Sequence, residues 1–270
     1  MFSPWYALAR RRGPAAAENH CAMNVALYGK PGGWAMTERK RGALQRDATS
    51  LSIGPSRMEW DGAALTITLQ EVGAPLPFPI RGTVKVYPSA LTGAAYTLDR
   101  AGLHRWSPIA PVSRVEVTLD RPGLRWSGPG YLDTNSGDRP LEADFRQWDW
   151  CRAPMRDGAA ILYNAERLEG GEQSLALRVG ADGSVTPFDA PPRARLASTL
   201  WRLDRQTRAE PGSVPNVVQT LTDAPFYARS VIRTRLLGED VTAVHESLDM
   251  TRFTAPWVQV MLPFRTPRWG

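Results

Sequence analysis

The chain has 270 residues, 33 Lys and Arg against 27 Asp and Glu for a net charge of +6, 43% hydrophobic residues, 23 Gly, 23 Pro and 2 Cys. That length fits one large domain or two modest ones, and that apolar fraction supports a packed core and excludes wholesale disorder. No apolar run reaches the ~18–20 residues of a spanning helix, and no charged n-region with a long apolar stretch opens the chain, so neither an integral membrane protein nor a signal peptide is expected.

Cys21 and Cys151 are too few and too far apart for a disulfide framework or a zinc site, which predicts two reduced thiols in a cytoplasmic protein. The cations are 30 Arg and only 3 Lys, an always-charged surface able to hold phosphates bidentately. Arg10-Arg11-Arg12 is the densest cluster. With no zinc-finger, RRM-like or helix-turn-helix pattern, nucleic acid is not an expected partner. A solvated basic face, or docking on an anionic membrane surface, fits the charge.

In chain order the sequence reads as β nearly throughout. Residues 56–69 form the clearest hairpin, with alternating runs on either side of Asp61-Gly62. Residues 83–87 and 114–119 alternate in the same way. Gly and Pro then concentrate over 127–140, the expected domain seam. Weak helical periodicity predicts a helix near 141–148. Trp148-Asp149-Trp150-Cys151, the Asp157-Gly158 turn and residues 160–163 read as the opening hairpin of a second unit. Residues 174–179 lead into a Gly180–Gly183 turn, Ala190-Pro191-Pro192 marks a loop, and strands are expected at 230–237, 241–248 and 257–264. The expectation is an all-β chain of two antiparallel barrels or sandwiches, divided as 1–137 and 138–270.

The sequence contains no G-x-S-x-G, H-E-x-x-H, P-loop or G-x-G-x-x-G motif, and its three histidines (His20, His104, His245) are scattered. Metal chemistry and nicotinamide or flavin redox are disfavoured, and no cofactor is expected. One segment is dense in chemistry: on a strand, Tyr131, Asp133 and Asn135 share a face. His104 and Trp106 share another, as do Trp148 and Trp150. A carboxyl, an imidazole, a phenol and several rings would suit an apolar ligand that must be protonated. Each feature also has a plain structural reading: a turn for Asp133–Asp138, and core packing for the histidine and the paired indoles.

The sequence resembles the carotenoid 1,2-hydratase family of phototrophic bacteria, the hydroxyneurosporene-synthase type. The matching blocks run almost end to end: Phe2-Ser3-Pro4-Trp5-Tyr6-Ala7, residues 19–29, Trp34-Ala35-Met36-Thr37-Glu38-Arg39, Gly130-Tyr131-Leu132-Asp133-Thr134-Asn135, Trp148-Asp149-Trp150, His245-Glu246-Ser247-Leu248 and Trp257-Val258-Gln259. The resemblance implies a pair of lipocalin-like barrels. Family members generally carry further residues before Phe-Ser-Pro, so either the start is displaced or the first barrel lacks its opening strand. The implied reaction adds water across the terminal C1–C2 double bond of an acyclic carotenoid such as neurosporene or lycopene.

That chemistry needs a carboxylic acid still protonated near neutral pH, and we assign it to Asp133. Trp106, Trp148 and Tyr131 are the candidates to face the cation, the alternative for Tyr131 being a hydrogen bond that holds Asp133 in its acid form, and His104 would orient water and accept its proton. Trp148, Trp150 and Asn135 are the expected substrate-binding residues. The polyene partner implies peripheral contact with the inner or intracytoplasmic membrane, with Phe2, Trp5 and Tyr6 as anchors. Two other readings are a non-catalytic carrier of an apolar pigment or lipid, and a glycosidase-like enzyme using Asp133 and Glu142.

Overall fold

The computed structural model describes residues 3–269, so the Phe2 anchor lies outside the described residues. The chain opens with a helix that the β reading did not anticipate, α1 (Pro4–Arg12). Its cause is local: the Ser3 hydroxyl accepts from the Tyr6 N–H, and Pro4 takes the first turn, where its missing N–H costs nothing.

A small hairpin, Asn24–Leu27 with Gly33–Met36, precedes the first large sheet. That sheet holds β1 (Leu44–Arg46), β2 (Ser50–Ile53), β3 (Ser56–Trp60), β4 (Leu65–Val72), β5 (Pro79–Pro88), β6 (His104–Arg121) and β7 (Leu124–Gly137), hydrogen-bonded in that consecutive order. A two-residue strand, Tyr96–Thr97, also pairs with β6. At the β3–β4 turn, Asp61 Oδ1 accepts from the N–H groups of Ala63 and Ala64 at 2.8 and 2.7 Å, and Gly62 sits at φ 97°. Only glycine adopts that φ without strain, so the Asp-Gly signal acts here as expected.

The second sheet holds β8 (Phe145–Met155), β9 (Gly158–Arg167), β10 (Glu172–Val179), β11 (Val185–Pro187), β12 (Asn216–Asp223), β13 (Tyr227–Leu236) and β14 (Glu239–Asp249). Its order is β11-β10-β9-β8-β14-β13-β12, so the late strand β14 pairs with β8. A hairpin of Arg193–Arg195 with Gln206–Arg208 lies between β11 and β12 in the chain.

Two compact units emerge, each drawn from separate stretches: Met1–Pro88, Arg114–Gly130 and Gln259–Gly270 in one, Ser89–Ser113 and Tyr131–Val258 in the other. The first has an aliphatic core that includes Leu69, Ile80, Val86, Val115 and Leu119. Within it Arg39 and Glu71 form a buried bidentate ion pair at 2.8 and 3.3 Å, and Ser56 Oγ donates to Glu71 at 2.6 Å. The second unit packs small and branched residues, among them Cys151, Ala153, Leu162, Ile232 and Ala243. Both cysteines are free thiols, Cys21 half-buried and Cys151 buried.

The Gly- and Pro-rich stretch 127–137 runs as part of β7, and the division between the two units falls inside it, at Gly130/Tyr131. Two element expectations are corrected. The helix expected near 141–148 shrinks to one 3₁₀ turn, Leu141–Ala143, and from Phe145 onward pairing with β9 and β14 takes over. The strand expected at 257–264 is instead α2 (Pro256–Met261) followed by a 3₁₀ turn, Leu262–Phe264. Pro256 opens that helix, and Trp257, Val260, Met261 and Phe264 fall at i, i+3, i+4 and i+7, a helical spacing.

Candidate active site

The site belongs to the second unit and grows from strand alternation. On β7, Tyr131 and Asp133 point to one side. The Tyr131 hydroxyl donates to Asp133 Oδ2 at 2.9 Å. On β6, Trp106 is fully buried, and its Nε1 donates to the same Oδ2 at 2.7 Å. Among the described residues no hydrogen bond ends on Oδ1.

Burial pushes the Asp133 carboxyl above its ordinary value, while the two donors and the positive charge of Arg229 pull the other way. The balance lies above the ordinary carboxylate value, with Oδ2 holding both donors. Burial, reinforced by the Asp133 charge, also keeps the Tyr131 phenol protonated.

β8 supplies the wall. Trp148, Trp150 and Arg152 face one side of the sheet; Asp149, Cys151 and Ala153 face the other. The rings form a chain of contacts: Tyr131 to Trp150 at 5.0 Å, Trp106 to Tyr163 at 5.1 Å, Trp148 to Tyr163 at 6.5 Å and Tyr96 to Trp106 at 5.8 Å. Arg152 reaches the carbonyl of Pro111 at 2.7 Å. Register sets Tyr163, Trp150, Glu246 and Arg229 side by side across β9, β8, β14 and β13. Glu246 and Arg229 are ion-paired.

Of the residues expected from sequence, Asp133, Tyr131, Trp106, Trp148 and Trp150 come together through these contacts. Asn135 continues β7 but is exposed. His104 is buried and engaged elsewhere: its Nε2 donates to Asp144 Oδ2 at 2.7 Å, and its ring packs edge-on to Phe145 at 5.0 Å. Trp5 and Tyr6 are half-buried; the Trp5 indole donates to the carbonyl of Thr266 at 2.7 Å, and Tyr6 lies against His20 at 5.0 Å.

Sequence reasoning missed Tyr163, Glu246 and Arg229. Strand pairing between β8, β9, β13 and β14 brings them in, and no local spacing announces that pairing. It also missed Asp149, which burial pushes up to about 7 against a 2.6 Å hydrogen bond from Ser247. Asp149 lies on the opposite face from the indoles, in a polar recess of about 30 Å³ with Gln147, Asn164 and Gln206. It is therefore not the acid of the aromatic site. No group of three or more His, Cys, Asp or Glu among the described residues could hold a metal ion.

Comparison with known proteins was consistent along the whole chain. The family model for carotenoid hydratase CrtC matches residues 1–270. The acyclic carotenoid 1,2-hydratase of Thiocapsa roseopersicina is 54% identical over 272 residues, covering 100% of this chain and 67% of that protein. That of Rubrivivax gelatinosus is 50% identical, covering 99% and 67%. That of Rhodobacter capsulatus is 41% identical, covering 99% of this chain and 95% of the relative. The chain belongs to the carotenoid hydratase family and is, with that family, a hydro-lyase.

Proposed function

We propose that the enzyme adds water across the terminal C1–C2 double bond of an acyclic carotenoid, with Asp133 as proton donor. The observation that carries this reading is the convergence of Trp106 and Tyr131 on Asp133 Oδ2. An isolated alkene is a poor base. Transfer of the Oδ1 proton to C2 breaks the O–H bond, forms a C–H bond and leaves a tertiary cation at C1. As negative charge grows on the carboxylate, both donors strengthen, so they favour the transition state over the resting acid. The surrounding ring faces stabilise the cation by about 0.5–2 kcal/mol each when desolvated. Water then forms the C1–O bond and loses a proton, giving the tertiary alcohol without redox change.

His104 is a positioning residue in this reading. Its bond to Asp144 fixes the start of β6 two residues before Trp106. The architecture we propose is the lipocalin-like pair divided at 137/138.

A polyene substrate dissolves in a bilayer, and we propose peripheral contact with anionic membrane lipid on the cytoplasmic side. No helix among the described residues is long and apolar enough to cross a membrane. The exposed stripe Trp257, Val260, Met261 and Phe264 supports this contact, since these side chains are 48, 69, 43 and 71% exposed. Trp201 stacks on Trp257 at 5.8 Å.

The test is Asp133→Asn incubated with an acyclic carotenoid in isotopically labelled water. Loss of about 10²–10⁴-fold in labelled tertiary alcohol, with the melting temperature kept, is expected. Full activity in that variant would refute the assignment.

A further inference from the structure

The proton donor accounts for half of a hydration. The other half needs a group that holds water near C1 and takes one of its protons. Neither phenol of the aromatic cluster suits this, because burial keeps both Tyr131 and Tyr163 protonated. His104 has its Nε2 committed to Asp144, and its Nδ1 is packed against Gly137 of β7, four residues along the strand from Asp133.

Two other groups sit in the same row of the sheet. Trp150 is directly opposite Glu246 on the neighbouring strand, so the two side chains share a face at close range. Trp150 is 8% exposed, and its Nε1–H is buried with no hydrogen-bond partner. A buried indole N–H normally finds an acceptor, so this donor points to a small polar ligand. Glu246 is held on one oxygen: Arg229 engages Oε1, and among the described residues no hydrogen bond ends on Oε2.

The row lies against the acid. Tyr131 touches both, with its ring 5.0 Å from Trp150 and its hydroxyl on Asp133. The charge of Glu246 acts on Tyr131, and that of Arg229 acts on Asp133.

We infer that Trp150 Nε1–H and Glu246 Oε2 bind the attacking water, and that Glu246 is the general base of the hydration. This rests on Asp133 being the proton donor. The indole donates to the water oxygen and the carboxylate accepts one water hydrogen, which leaves a lone pair for C1. As the C1–O bond forms, that O–H bond breaks and the proton passes to Oε2. Glu246 ends protonated and Asp133 ionised, and exchange with solvent restores both. Arg229 holds Glu246 by Oε1 and so fixes the direction of its free oxygen.

The order of events makes this testable. Protonation by Asp133 precedes water capture, and a cation that is not captured returns a proton and regenerates the alkene. The enzyme, Glu246→Gln and Trp150→Phe are each incubated with an acyclic carotenoid in heavy water. Alcohol and recovered alkene are analysed by mass spectrometry. Glu246→Gln is expected to form alcohol about 100-fold or more slowly while the recovered alkene gains deuterium at the terminal group. Trp150→Phe keeps the ring and removes only the N–H; it should lose about 10-fold or more in alcohol with deuterium uptake intact.

Wild-type hydration in Glu246→Gln, or loss of exchange together with hydration in a variant that melts like the parent, would overturn the inference. Asp133→Asn in the same assay separates the two claims. If it still exchanges deuterium, the donor assignment itself fails, whatever Glu246 does.

Discussion

Trp106 and Asp133, 27 residues apart in the chain, meet through a 2.7 Å hydrogen bond from the indole Nε1 to Oδ2. Tyr131 reaches that same oxygen from two residues away on the strand of Asp133 itself. The two donors weaken the proton's hold on the carboxyl, and burial tightens it. Acid strength at this site is therefore adjustable by removing one donor at a time.

Tyr131→Phe removes a group that lowers the Asp133 pKa, so that pKa should rise further. The acid form then persists to higher pH, but it yields its proton less readily. The expected result is a turnover about 10–100-fold lower, with the alkaline limb of the pH–rate profile moved upward. A limb that stays in place would detach Tyr131 from the titration of Asp133.

Asp149 and His245 should give opposing stability slopes. Burial raises the Asp149 pKa from 3.8 to about 7, so from pH 4 to 7 the folded state holds a proton that the unfolded state has released. Stability then falls as pH rises, by about 1.4 kcal/mol per pH unit. Burial lowers the His245 pKa from 6.5 to about 4, and between those values the unfolded state holds the extra proton. That contribution rises with pH at the same rate, and the two cancel across pH 4–6.5. Relative to the parent, Asp149→Asn should become more stable with rising pH in denaturant titrations, and His245→Gln less stable. Parallel curves for parent and variants would contradict both shifts.

Gly54 adjoins the Arg39–Glu71 pair. It sits at φ 61°, and a Cβ there would lie 2.4 Å from Arg39 Nε. Gly54→Ala thus meets both a strained backbone and a buried guanidinium, and should cost about 1–3 kcal/mol. Glu71→Ala leaves the arginine charge buried without its carboxylate and should cost about 3–5 kcal/mol. Urea unfolding measures both, and a change below about 0.5 kcal/mol in Glu71→Ala would show that the pair contributes little.

The exposed α2 stripe leads to a binding prediction. Val260→Glu with Phe264→Glu should reduce flotation with anionic liposomes about 10-fold or more, leaving the melting temperature unchanged. Equal flotation of parent and variant would place lipid contact elsewhere or nowhere.

The strands, and the face shared by Tyr131 and Asp133, were legible in the sequence because both announce themselves by period-two alternation. Residues 56–69 carry it around an Asp-Gly turn, and Tyr131-Leu132-Asp133 carries it through a stretch whose composition suggests a turn. The helices were less legible. Ser3-Pro4 and Pro256 mark helix starts, yet the apolar spacing at 257–264 also passes for a strand when read two by two. Glu246, Arg229 and Tyr163 lay beyond local reading, since only the pairing of β8 with β9 and β14 sets them beside Trp150. The bond from His104 to Asp144 likewise spans 40 residues, and no spacing rule selects that partner.

Cys151 sits in mid-strand on β8, 2% exposed, with burial pushing its thiol up to about 12. An alkylating reagent needs thiolate, so this sulfur stays silent while the sheet is closed. Cys21 is half-buried and its thiol is only moderately raised, so it should label first. The delayed second adduct is then a clock for the opening of β8, the strand that carries Trp148 and Trp150 of the aromatic cluster.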